Sequence, residues 1–360
     1  MRRARAFTGI LIAATCAACT DPAPAGRGAA WPEANALFHR DARFIGADGA
    51  YSIDLGGERV LWLFGDTLVA RDRERPHQGA AFLRNSVALQ TGRDPLSAYV
   101  RHYWRTDDGE PRSFFPEPSD ASWLWPAHGA RVGATLVLFF ELLHDEGEPG
   151  PWSFAGDGWT AALVSNPDDP PSAWVITPAT LPAGGPSISG ALGEACVVVG
   201  DHLYAYGTSG DRHAVTLARF TVAAAAAGDL SAPEAYCGGA RWATDCTPAT
   251  LFSPGAPEFS VHFDATLQRW LWVASGGFGA APVVWRAAPD LEGPWSEPTV
   301  VFRPPEASRD GAFVYAAKAH PELDGGGDLV VTYVPSAFDD APASLDGVYY
   351  FPFFARVRPE

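Results

Sequence analysis

Three carboxylates, Asp48, Glu194 and Glu258, stand with His128, Lys318 and His320 in five short segments of matching character. These are GADGAYSIDL from 46, PAHGARVG from 126, ALGEACVVVG from 191, PEFSVHFD from 257 and AAKAHPEL from 316. Gathered around one cavity, carboxylates in this number can cleave a glycosidic bond. One protonates the leaving oxygen, and another acts as base on water or as nucleophile on the sugar. A third keeps the donor protonated by like-charge repulsion. Taken singly, each of these groups reads equally well as a solvated strand-end residue. A ring of them in one cavity, however, costs stability unless water, partners or a ligand meet it. Trp123 and Trp125, just ahead of His128, fit the same chemistry, because apolar sugar faces stack on aromatic rings; the other tryptophans read as core.

The elements that must position these residues repeat. Each segment precedes an aromatic and β-branched strand: ERVLWLFGDT from 58, ATLVLFFELL from 134, DHLYAYGTSG from 201, QRWLWVASGG from 268 and GDLVVTYVPS from 327. Their starts lie 76, 67, 67 and 59 residues apart. A third strand follows each: NSVALQT, WTAALVS, AVTLARF, VVWRAAP and GVYYFPFFARV. Three strands per unit, with room for a fourth, describe a propeller blade. The expected fold is therefore all-β, a single five-bladed β-propeller over residues 39–360, in which the first strand of each blade lines a central channel. A sandwich of about fifteen strands is the alternative, but it would not give near-equal spacing. In the first unit the strand stops at Gly-Asp-Thr, so Asp66 is expected where a strand meets a turn. The AAAAA run at 223–227 is expected to form a short helical turn.

The rest of the composition narrows the function. The chain of 360 residues carries a net charge of −16, which repels phosphate backbones and argues against a nucleic-acid partner. It opens with MRRARAFTGILIAATCAACTD: basic residues, an apolar run too short to span a bilayer, then small residues ending at Cys19. Residues 1–19 thus read as an export signal of lipoprotein type, with Cys19 the lipidation site, a lipid anchor in the bacterial envelope and ordinary secretion as the alternative. The Pro- and Ala-rich residues 20–38 read as a tether. In an oxidising compartment Cys237 and Cys246 are spaced to form a disulfide, and Cys196 reads as a buried thiol. No Cys or His spacing resembles a zinc site. No cofactor is expected, although channel acids and water could hold calcium. Propellers have few free sheet edges, so a monomer is expected.

The segments GADGAYSIDLGGERVLWLFGDT, NSVAL, EFSVHFDATLQRWLWV, GPWSEP and AKAHPELDGGGDLVVTYVPS resemble the five-bladed propeller family known as domain of unknown function 4185. More distantly, the chain is similar to arabinanase and arabinofuranosidase propellers. The resemblance runs from about residue 40 to the C-terminus, and some members of the first family are endo-D-arabinanases. It implies that Asp48 is base or nucleophile, that Glu258 is the proton donor with Glu194 as its rival, and that Asp66 orients the first strand or adds a supporting charge. It further implies that Asn85 and Ser86 brace that strand or touch sugar, and that His320 and Lys318 hydrogen-bond substrate. The chain departs from the family pattern at Glu194 and Ser336. Together these readings point to an exported glycoside hydrolase acting on a furanose-containing polysaccharide, or else to a carbohydrate-binding propeller without catalysis. A metal-dependent lyase or phosphodiesterase is disfavoured by the scattered ligands.

Overall fold

Strands that read as unbroken apolar runs do so because their sheets are covered on both faces. In the second strand of the first unit, Val60, Trp62 and Phe64 enter one buried cluster, while Leu61 and Leu63 enter another on the opposite face. All five side chains are fully buried. The period-two geometry of a strand thus feeds two cores, one against each neighbouring blade. The structure, a computed structural model, describes residues 24–73, 78–147, 153–183, 188, 190–337 and 349–360.

The architecture is the expected five-bladed β-propeller. Strand β1 (Gly26–Ala30) belongs to the last blade. Blade one is β2 (Phe44–Gly56), β3 (Arg59–Val69), β5 (Ser86–Thr91) and β6 (Tyr99–Tyr103), with β4 (Ala81–Leu83) paired to β3; β7 (Arg105–Asp107) and β8 (Glu110–Arg112) form a small hairpin beyond it. Blade two is β9 (Ser122–Val132), β10 (Thr135–Asp145), β11 (Phe154–Val164) and β12 (Ile176–Pro178). Blade three is β13 (Ala191–Val199), β14 (His202–Ser209), β15 (Ala214–Thr221), β16 (Glu234–Tyr236) and β17 (Trp242–Ala243). Blade four is β18 (Phe259–Asp264), β19 (Arg269–Ser275), β20 (Val283–Ala288) and β21 (Thr299–Phe302). Blade five is β22 (Ala312–Ala319), β23 (Leu329–Ala337), β24 (Phe353–Pro359) and β1. The innermost strands β2, β9, β13, β18 and β22 succeed one another around the axis.

Two expectations are corrected. Residues 26–38 are not tether: β1 pairs antiparallel with β24, from Gly26 opposite Pro359 to Ala30 opposite Ala355, and a 3-10 helix over Pro32–Arg40 follows. The glycines that gave this segment the look of a linker are packing requirements. A Cβ on Gly26 would lie 2.5 Å from the Trp285 ring, and one on Gly28 2.5 Å from Phe302 Cβ. The segment Gly65-Asp66-Thr67 is not a turn either, because β3 continues through it to Val69. The helix turn is present as α1 (Val222–Ala226), capped by the Thr221 hydroxyl accepting from Ala224 N–H. Cys237 and Cys246 are joined as a disulfide in blade three, and Cys196 is a buried free thiol. The expected lipidation site, Cys19, lies outside the described residues. Among these, no helix is long and apolar enough to cross a membrane.

The closing helix shows how the ring is locked. Phe38 packs edge-on to Trp62 at 5.0 Å and to Phe64 at 5.5 Å, and stacks on Phe354 at 5.6 Å. It therefore joins the N-terminal segment to blades one and five. The Trp62 indole N–H donates to Gln90 Oε1 at 2.8 Å, so this buried ring carries no orphan donor.

Candidate active site

The inner strands are not regular where they carry the acids. In β2 the register with β3 slips around Gly49, and Gly49 and Ala50 both take positive φ, 77° and 55°. Similar slips occur in β13 between Leu192 and Ala195 and in β22 between Tyr315 and Lys318, with Gly193 and Ala316 at φ 95° and 56°. Such bulges re-aim side chains and carbonyls that a flat strand would turn away. Left-handed backbone at an alanine is unfavourable by about 1–2 kcal/mol per residue, and at Ala50 and Ala316 it is held by the surrounding ring.

What the bulges turn inward is gathered by Lys318, which is almost fully buried. Its Nζ donates to Gly49 O at 2.6 Å, to Ala316 O at 3.2 Å and to Glu258 Oε2 at 2.5 Å, and lies 4.2 Å from the centre of the Tyr51 ring. All three donors are thereby occupied. Lys318 ties the bulges of blades one and five to Glu258 of blade four, with no donor left over for the substrate contact expected of it.

Asp48 and Asp66 come from neighbouring strands of blade one. Asp48 Oδ2 accepts from the hydroxyls of Tyr315 at 2.8 Å and Tyr350 at 3.2 Å. Asp66 Oδ1 accepts from the Trp125 indole N–H at 2.9 Å, and its Oδ2 lies 3.6 Å from an Arg84 guanidinium nitrogen. Between them lies Gly65, where an added Cβ would sit 2.5 Å from Asp48 Oδ1, so the missing side chain is what admits the Asp48 carboxyl. Burial, then the like charges of Asp66 and Glu258, lift the Asp48 carboxyl well above the usual carboxylate range, against the pull of the two tyrosines. Burial lifts Asp66 to about 6, with Trp125 and Arg84 holding it lower than burial alone would.

Three glutamates complete the cluster. Glu194 accepts a short hydrogen bond from the Tyr51 hydroxyl, and burial together with the charge of Glu141 lifts it to about 8. Glu141, on β10, is lifted to about 7 by burial and by Glu258. The sequence reading passed over Glu141 because it is on a second strand, yet a lone acid within TLVLFFELL was its visible signal. Tyr51, Tyr315, Tyr350 and Arg84 were also missed.

Other expected site residues are placed elsewhere. Asn85 is fully buried; its amide nitrogen donates to Phe115 O and Leu124 O, and its oxygen accepts from Phe115 N–H, so the amide is spent on bracing a loop. Trp123 is buried beneath Arg84, whose guanidinium lies 3.8 Å from the ring centre, whereas Trp125 is half-buried and bonded to Asp66. His128 and His320 lie further down the channel. The His128 Nε2–H donates to Ser52 O and its Nδ1 accepts from Cys196 N–H, both at 2.9 Å. His320 is bonded to the Ser52 hydroxyl at 2.5 Å and the Thr332 hydroxyl at 2.7 Å. Burial pushes His128 down to about 4 and His320 well below the usual histidine value. These histidines border a cavity of about 270 Å³ toward the opposite mouth. Among the described residues no group of three or more His, Cys, Asp or Glu is arranged to hold a metal ion. The free thiol of Cys196 is pushed up by burial, as suits an inert core group.

Comparison with known proteins places the fold. The sequence matches the family Domain of unknown function (DUF5005) over residues 33–359. No curated protein matches it. Among solved structures, it is similar to a Bacteroides ovatus ATCC 8483 protein described as a candidate hydrolase, with 19% identity, a TM-score of 0.68, and 92% of this chain and 90% of that one covered. It is also similar to the catalytic domain of a Coprinopsis cinerea GH62 α-L-arabinofuranosidase, with 9% identity, a TM-score of 0.52, and 93% and 98% covered. These likenesses establish the fold of propeller glycoside hydrolases.

Proposed function

The chain belongs to the DUF5005 family, and on that footing we propose that it is a glycoside hydrolase cleaving a furanose-containing, arabinan-like polysaccharide. The observation that carries this reading is the pair Asp48 and Asp66, two carboxyls in one channel whose surroundings separate their proton affinities. At neutral pH Asp66, near 6, is the ionised partner, suited to act as base on water or as nucleophile on the sugar. Asp48 is the partner that keeps its proton. Tyr315 and Tyr350 both donate to its Oδ2, which leaves Oδ1 to carry the proton to the leaving oxygen. This exchanges the duties that the resemblance implied for Asp48. It also moves Glu258, whose Oε2 is ion-paired with the buried Lys318 ammonium, from the donor role to the channel lining. Glu141, Glu194 and Glu258 line the remainder of the channel as hydrogen-bond partners for sugar hydroxyls. The likeness in fold to an α-L-arabinofuranosidase supports the choice of a furanose.

The reading is tested by incubating the protein with arabinans, galactans and bacterial envelope glycans beside Asp48→Asn and Asp66→Asn. Loss of a general acid or base lowers the rate by about 100- to 10,000-fold, so product release should all but vanish in both variants. Equal product from parent and variants would remove the assignment. Glycan binding without cleavage by the parent would make the protein a lectin-like propeller.

We further propose that the protein is exported and anchored through a lipid on Cys19. Mass analysis of the N-terminal peptide should find acyl mass on Cys19, and an unmodified N-terminus at or beyond it would overturn the anchor.

A further inference from the structure

A ring stack leads from the acid pair to the surface on the side away from Trp125. Tyr315, which donates to Asp48, lies 5.5 Å from the Phe313 ring, and Phe278 lies 4.8 Å from Phe313 and 6.3 Å from Tyr315. Phe313 is buried, but Phe278 is 55% exposed. Its loop is fastened by Gly276 N–H to Pro282 O and by Val314 N–H to Gly279 O, both at 2.8 Å, so the ring is presented by a braced turn. Across the mouth the arrangement recurs with different residues. Trp125 donates to Asp66 and packs edge-on to Phe154 at 4.9 Å, and Arg84 lies between the Trp123 ring and the 53% exposed Phe82. Each carboxyl of the pair is thus bonded to one aromatic ledge, and the ledges flank the pair from blades four and five on one side and from blades one and two on the other.

Single exposed apolar residues are ordinary on a surface. Phe278 differs because its stack ends on the hydroxyl that holds a site carboxylate. We propose that Phe278 is a carbohydrate-stacking platform, forming a glycan subsite opposite the Trp125 ledge, so that a bound chain lies across Asp48 and Asp66 and is cut within its length. This inference rests on the hydrolase reading above and deepens it, naming an extended oligosaccharide as the ligand and Phe278 as the residue that selects for length.

The test uses the Asp48→Asn protein, which should hold glycan without turning it over, titrated with linear arabino-oligosaccharides of two and six sugars. Removing the ring with Phe278→Ala should weaken binding of the hexasaccharide about fivefold, the scale of one aromatic stacking contact, and that of the disaccharide less than twofold. Phe278→Trp should restore hexasaccharide affinity. In the otherwise unaltered protein, Phe278→Ala should raise KM for the hexasaccharide at nearly constant kcat. Unchanged hexasaccharide affinity while the parent still cleaves it would refute the platform and leave the hydrolase reading standing. Failure of the parent to bind or cleave either oligosaccharide would remove both. A dimer that dissociates on Phe278→Ala would assign the ring to an interface between copies.

Discussion

Gly65→Ala is the most informative single perturbation of the acid pair. Gly65 is not among the residues with positive φ, so alanine meets no backbone strain there, and the effect of the substitution is confined to one methyl group. That methyl would arrive 2.5 Å from Asp48 Oδ1, about 0.9 Å short of ordinary contact at 3.4 Å. The neighbouring Trp125 ring, at 4.0 Å, does not object. Asp48 must therefore move by most of an ångström from the place where two tyrosine hydroxyls hold it at 2.8 and 3.2 Å. Misplacing a reacting group by about 1 Å can lower a rate about 100-fold, whereas overpacking of this size lowers stability by about 1–3 kcal/mol. The expected result is a folded protein with kcat/KM on its glycan reduced between about 10- and 100-fold, and Gly65→Ser at least as impaired. Thermal melts and rates measured on the same samples separate the two effects. A Gly65→Ala protein with parental kcat/KM and an unchanged melt would show that Asp48 has room to spare and that its position does not govern the chemistry.

Three further outcomes are expected. The rate should rise with pH through about 6 as Asp66 ionises and fall at higher pH as Asp48 loses its proton; a flat profile across this range would dissociate the pair from catalysis. Glu194 has a folded pKa, about 8, above its unfolded value, 4.5, so the fold loses stability as pH rises between these values. At pH 8 this amounts to something on the order of 3 to 5 kcal/mol, and Glu194→Gln should therefore be more stable than the parent in urea at pH 8 but not at pH 4. A chain starting at Trp31 lacks β1 and exposes the edge of β24, so it should melt below a chain starting at Pro24; equal melting temperatures would mean that ring closure does not depend on β1.

The strand order was legible because each blade repeats a strand whose both faces are buried, and such strands announce themselves as apolar runs. What the sequence concealed were features decided across the ring. Gly26 and Gly28 look like linker until the Trp285 and Phe302 side chains above them are known. Asp48, Glu194 and Glu258 were visible as polar members of inner strands. Their duties depend on partners that sequence distance hides, since the tyrosines that hold Asp48 are 267 and 302 positions away. In the structure the polar atoms of His128, His320 and Lys318 are occupied by protein: the bulges turn the Gly49 and Ala316 carbonyls onto Lys318, while Ser52, Cys196 and Thr332 take the histidines. Glu141 lay outside the pattern because it is on a second strand.

The seam between β1 and β24 also fixes an orientation. β1 runs from Gly26, beside Pro359, toward Ala30, beside Ala355, while β22 carries Tyr315 near its start and Ala319 near its end. Followed through the blade, Gly26 lies at the face where the inner strands finish, and the acid pair lies at the face where they begin. If Cys19 carries the proposed lipid, the few residues from there to Pro24 reach at most about 18 Å fully extended. The ring would then rest with its lower face toward the bilayer and the mouth that holds the acid pair turned away from it, like a cup standing on its base.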